Sequence, residues 1–327
     1  MDKGINKEFV KLLEDPSVRF TVILGSGFHH QALGRNSVLS NWEVLLSKLT
    51  NTNNLSTNYI LDFEKIVLKE SAHQKSESLR KAFEIEKSEL GHLVKAIRNE
   101  QDWVLSQPHR FEYPDIFQSI RISDVISLNF DTIAESICFK ERKKTALQNT
   151  SSFGLTNTKG KLSDSFITQV TSFQKLVNSS NHSIRFWHPH GSIDNPKHIV
   201  LGVAKYSKLV SSTLKIRNHY KANEHHTNED KEHTEITWFS QIYNNPVLIL
   251  GASMSEMEWA MWTAFVYKNR NFAKPNKREF SSPIFQMMSP EDSLNKEKHG
   301  WFEPLFFDTE FENQWDELVQ QLSKDKK

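Results

Sequence analysis

Arg19-Phe20-Thr21-Val22-Ile23-Leu24-Gly25-Ser26-Gly27 is the stretch that decides the fold. Its β-branched and aromatic run from Arg19 to Leu24 reads as a strand, and a strand that delivers its chain into a glycine turn opens a nucleotide-binding α/β unit. Glycine in such a turn lets backbone N–H groups approach a phosphate, because no Cβ stands in the way. The spacing is not the full G-x-G-x-x-G, so a tight turn that holds no ligand fits these residues equally well.

Downstream, Trp42, Leu45, Leu46 and Leu49 recur at helical spacing behind a possible Ser40 or Asn41 cap. After a polar loop at 51–58, Phe63, Ile66 and Val67, then Leu79, Phe83, Leu90, Val94 and Ile97, mark two further amphipathic helices whose apolar stripes are core rather than a cofactor box. The β pattern returns at Ile122 to Leu128, which runs into Asn129-Phe130-Asp131, and again at Ile184 to Trp187, before His188-Pro189-His190-Gly191. Ile199-Val200-Leu201 is a short further apolar run, Val247 to Leu250 ends in Gly251-Ala252-Ser253, and Pro283 to Met287 with Leu305 to Phe307 form a last pair. This order predicts a Rossmann-like α/β fold, a doubly wound parallel sheet whose carboxyl edge carries the chemistry. We expect residues 1–36 and 119–327 to form that domain, with 37–118 a helical insertion packed on it.

Charge and composition exclude several classes. Lys+Arg 41 against Asp+Glu 40 leaves +1, so no global field draws the chain to nucleic acid or an anionic membrane. The 22 Phe and 8 Trp supply core that a disordered chain lacks. The single cysteine, Cys138, rules out an internal disulfide and a Cys-rich zinc ribbon, and its helix-like neighbourhood has no base beside it, so burial is its expected role. With a charged N-terminus and no apolar stretch near ~20 residues, a cytoplasmic protein is expected. The polar segments 140–182 and 221–235, the latter with His225, His226 and His233, read as lids, partner surfaces or disordered loops.

Asn129 and Asp131 alternate after a strand, so an extended chain points both the same way. An amide beside a carboxylate suits a sugar hydroxyl or a carboxamide, while an Asx turn that ends the strand is the alternative. His190, expected at the sheet edge rather than in a core, has an imidazole suited to proton transfer at neutral pH. His188 should share its side of the strand, which raises a minor metal reading with Asp194 and His198; Pro189, Gly191 and the absence of a His-Glu-x-x-His helix weigh against it. Gly251-Ala252-Ser253 is a second small-residue turn able to admit a ribose or phosphate.

Taken in order, Gly25-Ser26-Gly27, Asn129-Phe130-Asp131, His190-Gly191, Ile199-Val200-Leu201-Gly202 with Tyr206 soon after, and Leu250-Gly251-Ala252-Ser253 resemble the sirtuin-like superfamily. They look most like its bacterial branch of NAD-hydrolysing effectors in phage defence and abortive infection. The resemblance runs from about Phe20 to Phe307 and touches the insertion only through Trp42-x-x-Leu45-Leu46. It implies that Gly25, Ser26 and Gly27 receive the NAD pyrophosphate, and that Asn129 and Asp131 meet the nicotinamide ribose and carboxamide. It further implies that His190 is the catalytic histidine and that Gly251 and Ser253 lie near the adenosine half. Two departures stand out: Phe28 and His29 replace the neighbourhood of the serine that usually follows the glycine turn, and one cysteine cannot build the four-cysteine zinc module of protein deacylases.

The resemblance therefore leads us to expect an NAD+ glycohydrolase that releases nicotinamide and ADP-ribose, with NAD+ as substrate and no metal, rather than a lysine deacetylase. Such an enzyme would be gated by homo-oligomerisation or by a second defence protein. The alternatives are a non-catalytic NAD or ADP-ribose sensor and a partner-dependent interaction module.

Overall fold

A computed structural model describes residues 6–50, 59–73, 79–107, 120–138, 170–177, 180–223, 237–254, 258–272, 283–288 and 302–306. The expected loop at 51–58, most of the polar segments (140–169 and 224–235) and Phe307 lie outside these residues.

Helix α1 (Lys7–Glu14), capped by the Asn6 side chain, leads into β1 (Phe20–Leu24). A short 3₁₀ turn, Ser26–His29, and α2 (His30–Leu33) follow, then α3 (Trp42–Thr50), α4 (Tyr59–His73) and α5 (Leu79–Ser106). The chain re-enters the sheet at β2 (Ile122–Ser127), passes α6 (Ile133–Cys138), and forms β3 (Val170–Val177) and β4 (Ser180–Trp187). The rest is α7 (Val203–Asn223), α8 (Trp238–Asn244), β5 (Val247–Leu250), α9 (Trp259–Phe272), β6 (Ile284–Met288) and β7 (Glu303–Phe306).

The sheet order is β3-β4-β2-β1-β5-β6-β7, parallel throughout except for β3, which pairs antiparallel with β4. Without that edge strand, the order is that of a doubly wound Rossmann-like sheet, reversing beside β1. Burial on both faces explains why β1 reads as an apolar run interrupted by Thr21 alone. Phe20, Val22 and Leu24 join Phe9 of α1 and Cys138 of α6 in one core, while Ile23 joins Trp187, Leu209, Trp238 and Phe265 in the core under α7, α8 and α9. Helices α3, α4 and α5 build a third core that also takes in Phe130, Ile133, Ile193 and Ile199.

Two expectations are corrected here. The polar segment 140–182 contains β3, an edge strand, where polar composition is tolerated because one side of the ladder faces no partner. Ile199-Val200-Leu201 is not a strand: Ile199 and Leu201 fill the α3–α5 core, and the Val200 N–H donates to the His190 carbonyl at 2.7 Å. Among the described residues, no helix is long and apolar enough to cross a membrane.

Polar ties fix the sheet internally. The buried Asp124 carboxylate of β2 accepts from Arg185 Nε (2.7 Å) and Nη2 (2.8 Å) and from Trp187 Nε1 (2.8 Å), both on β4. Lys268 of α9 donates from Nζ to the carbonyls of Ile242 (2.8 Å) and Asn245 (2.7 Å), satisfying the end of α8 that lacks intrahelical donors.

Candidate functional site

The carboxyl ends of β1 and β2 open under α3 and α5 into a cleft of about 270 Å³, lined by Ser26, Val38, Leu39, Trp42, Leu45, Ile97, Asn129, Phe130 and Asp131. Most of its wall is apolar. Trp42 meets Phe130 edge-on with ring centroids 4.9 Å apart, and the polar groups Ser26, Asn129 and Asp131 share the cleft with that wall.

Asn129 and Asp131, 7% and 4% exposed, do line one cleft, although the strand ends at Ser127 and the chain bends at 129–131 instead of continuing extended. Asp131 also performs the Asx role, because its Oδ1 accepts the Ile133 N–H at 3.0 Å. The Asn129 amide donates to the Gly25 carbonyl at 3.0 Å, tying the end of β2 to the end of β1.

The residue that sequence reasoning passed over is His29. Its ring is fully buried, with Nε2 3.0 Å from Asp131 Oδ2 and 3.4 Å from Asn129 Nδ2. Burial pushes the Asp131 carboxyl up, yet the His29 ring and its hydrogen bond, the Ile133 N–H and the neighbouring His188 outweigh it and hold the carboxyl below its ordinary value. The departure from the usual serine at this turn was the only signal available.

His188 and His190 do not share a side. The strand ends at Trp187, and a turn sends the two rings to carboxylates on different helices. His188 Nε2 pairs with Glu135 of α6, and its Nδ1 lies 3.4 Å from the Asn129 carbonyl. Burial pushes its imidazole down, but the Glu135 charge and hydrogen bond raise it above its ordinary value, so a buried ion pair backs the Asn129 loop.

His190 Nε2 lies 3.3 Å from Glu258 Oε2 at the start of α9, out of hydrogen-bond alignment, and the ring stacks edge-on to Tyr206 at 6.4 Å. Burial and then Glu258 push the Tyr206 hydroxyl up, which keeps it protonated. At 2% exposed, His190 sits in a core, not at an open sheet edge as expected, and it is not among the residues lining the cleft.

The other metal candidates are scattered, with Asp194 exposed and His198 Nδ1 paired with Asn195 at 3.2 Å. Among the described residues, no group of three or more His, Cys, Asp or Glu side chains is placed to hold a metal ion. Cys138 is buried, as expected.

The glycine turns meet each other. The Gly27 N–H donates to the Gly251 carbonyl at 2.8 Å, and a Cβ on Gly25 would lie 2.6 Å from Ala252 Cα. Gly251 adopts φ +64, where a Cβ would stand 2.6 Å from the Gly27 carbonyl carbon. Backbone meeting backbone thus accounts for Gly25 and Gly251 without a ligand. Ser26 faces the cleft, whereas Ser253 is exposed beyond β5.

Helix α5 holds three segments near the cleft. Gln101 accepts the Thr132 N–H at 2.7 Å and donates to its hydroxyl at 3.2 Å, Arg98 donates to the Ile193 carbonyl at 2.7 Å, and Glu100 accepts from Ser37 and from the Val38 N–H.

No curated protein matches the chain. A family model described as a SIR2-like domain matches residues 123–304, from within β2 to within β7, which leaves the Gly25 turn and α3–α5 outside it. That span is more than half of the chain, and it carries Asn129, Asp131, His190 and Gly251 in the doubly wound sheet just described; the protein belongs to the SIR2-like family, whose domains use NAD+.

Proposed function

We propose that the protein is an NAD+ glycohydrolase, cleaving the bond between nicotinamide and ribose with water as acceptor. The observation that carries this reading is the small apolar cleft with a buried, ionised Asp131 and the Asn129 amide in its lining. Apolar walls suit the flat pyridine ring, and the amide and carboxylate suit its carboxamide and the ribose hydroxyls. The single Cys138 cannot build the four-cysteine zinc module of protein deacylases, which supports water rather than an acyl-lysine side chain as the acceptor.

The C–N bond breaks with its electron pair leaving on nicotinamide, an oxocarbenium-like ribose forms, and water adds to it with loss of one proton. The chain's task is to orient the ribose, exclude bulk water and offset the developing positive charge. Asp131 supplies negative charge at the cleft, and Asn129 orients a hydroxyl or the incoming water. The resemblance gives His190 the role of base; its Nε2, which makes no hydrogen bond among the described residues, is open to a proton, although the ring is not among the residues lining the cleft.

An unregulated enzyme of this kind would drain its own cell, so the reading includes gating by self-assembly or by a second protein, in a bacterial cell defending against phage. Purified protein incubated with NAD+ should release nicotinamide, followed by chromatography, and His190→Ala should abolish the release. NAD+ bound stoichiometrically by the assembled protein with no nicotinamide formed would instead favour the sensor.

A further inference from the structure

We propose that Glu258 is a positioning residue for His190: its carboxylate keeps the imidazole hydrogen on Nε2 and so makes Nδ1 the nitrogen that takes a proton in the reaction. The proposal rests on reading His190 as the base of an NAD+ glycohydrolase.

The argument starts with the two ring nitrogens. His190 Nε2 is buried and lies 3.3 Å from Glu258 Oε2, with the two side chains 3% and 10% exposed. A nitrogen enclosed in this way is shut off from a substrate oxygen. Facing a carboxylate, it is favoured as N–H, because a bare nitrogen and a carboxylate oxygen are both acceptors. In the neutral ring a hydrogen on Nε2 leaves the lone pair on Nδ1. The pair is out of hydrogen-bond alignment, and catalytic contacts commonly tighten only in complex with substrate.

The surroundings hold both partners in place. Glu258 immediately precedes α9, and its carbonyl accepts the Trp262 N–H at 2.9 Å, so the residue stands at a helix N-terminus, where free N–H groups favour negative charge. Tyr206 of α7 joins the two: its hydroxyl oxygen accepts the N–H groups of Trp259 and Ala260, and its ring meets that of His190 edge-on. The loop that carries His190 is tied to the cleft, since the Ile193 N–H donates at 2.8 Å to the carbonyl of Phe130, a lining residue.

The proton balance follows from this arrangement. An O–H bond of the attacking water breaks, its electron pair forms the new bond to the anomeric carbon, and the proton goes to Nδ1. The imidazolium keeps its Nε2 hydrogen toward Glu258, whose carboxylate offsets the new positive charge.

The test joins nicotinamide-release kinetics to NMR of protein labelled at its histidine ring nitrogens, at mildly alkaline pH, the His190 signals being those missing from His190→Gln. Wild type should show hydrogen on Nε2 and a bare Nδ1. Glu258→Gln, nearly isosteric, should lower kcat about 100-fold with KM changed by no more than about twofold, the pattern of an interaction used in the transition state. Glu258→Asp, which keeps the charge one methylene back, should retain about a tenth or more of wild-type kcat. A bare Nε2 in wild type, an unchanged kcat in folded Glu258→Gln, or a KM that rises as far as kcat falls overturns the proposal. If Glu258→Gln does not fold, the wild-type spectrum and Glu258→Asp decide it. A His190→Ala variant that keeps full activity, or a wild type that shows hydrogen on Nε2 but releases no nicotinamide, overturns the reading of His190 as base and the catalytic part of this proposal with it.

Discussion

Alanine at position 25 separates two reasons for a glycine, room for a ligand and room for another part of the chain. Gly25 has ordinary extended dihedrals, φ −107 and ψ −177, so the substitution adds no backbone strain and its whole cost is steric. The new methyl would collide with the Gly251 carbonyl and lie 2.6 Å from Ala252 Cα and 2.7 Å from Ala252 Cβ. Carbon atoms rest at ~3.5–4.0 Å, so the two turns must part by about 1 Å. That separation stretches the Gly27 N–H bond to the Gly251 carbonyl, now 2.8 Å. Overpacking of ~2 kcal/mol and a weakened hydrogen bond of ~1 kcal/mol together give about 3 kcal/mol. For a chain of this size the Tm should fall by roughly 4 °C. Thermal unfolding without ligand, read by circular dichroism, measures this, and calorimetry gives NAD+ affinity on the same preparation. An unchanged Tm with NAD+ binding lost would refute the reasoning and return Gly25 to ligand approach.

Asp124→Ala strips three donors of their acceptor and leaves Arg185 without its bidentate partner, so it should cost ~3–5 kcal/mol in urea unfolding; a loss below ~1 kcal/mol contradicts the role of this tie between β2 and β4. His188, raised above its ordinary value, contributes stability that is complete below pH ~6.5 and is lost as pH climbs through the raised value. Lys268, pushed down to about 7 by burial, works in the opposite sense, with stability gained from there upward. The difference between wild type and His188→Gln across pH 6–9 isolates the first effect and should shrink toward alkaline pH. Gln101→Ala should weaken NAD+ binding by about tenfold while costing only ~1–2 kcal/mol of stability, since it releases the residue after Asp131; unchanged binding would mean that α5 does not order the cleft.

Much of the sheet was legible because β1, β2 and β5 are buried on both faces, and double burial writes itself as a short apolar run with a polar or glycine exit. Asn129 and Asp131 were legible as a polar pair at a strand exit, but the chain bends at 129–131, so they reach one cleft by that bend and not by the alternation of an extended chain. Where the path turns, local rules fail. Pro189 and Gly191 divert the chain after Trp187, so His188 and His190 part company, and Ile199 to Leu201 are apolar because a core surrounds them rather than because they pair. His29, Glu135 and Glu258 were out of reach for a different reason. Each gains its meaning from a side chain more than 50 residues away, at Asp131, His188 and His190, and no spacing encodes such a meeting. The glycines were read correctly as turns and incompletely as to cause, since two turns far apart in sequence make room for each other.

The three holds of α5 on the cleft have a consequence for protein engineering. Thr132, Ile193 and the Ser37–Val38 segment leave the sheet at separate points, yet one helix fastens them all. The stretch 37–118 is therefore not a cartridge that can be deleted or exchanged between relatives at its sequence boundaries. A chimera that kept the sheet and took another protein's helices would inherit strands in the right order and a nucleotide edge with its loops untethered. Grafts should instead carry α5 together with Ser37, Val38, Thr132 and Ile193 as one block.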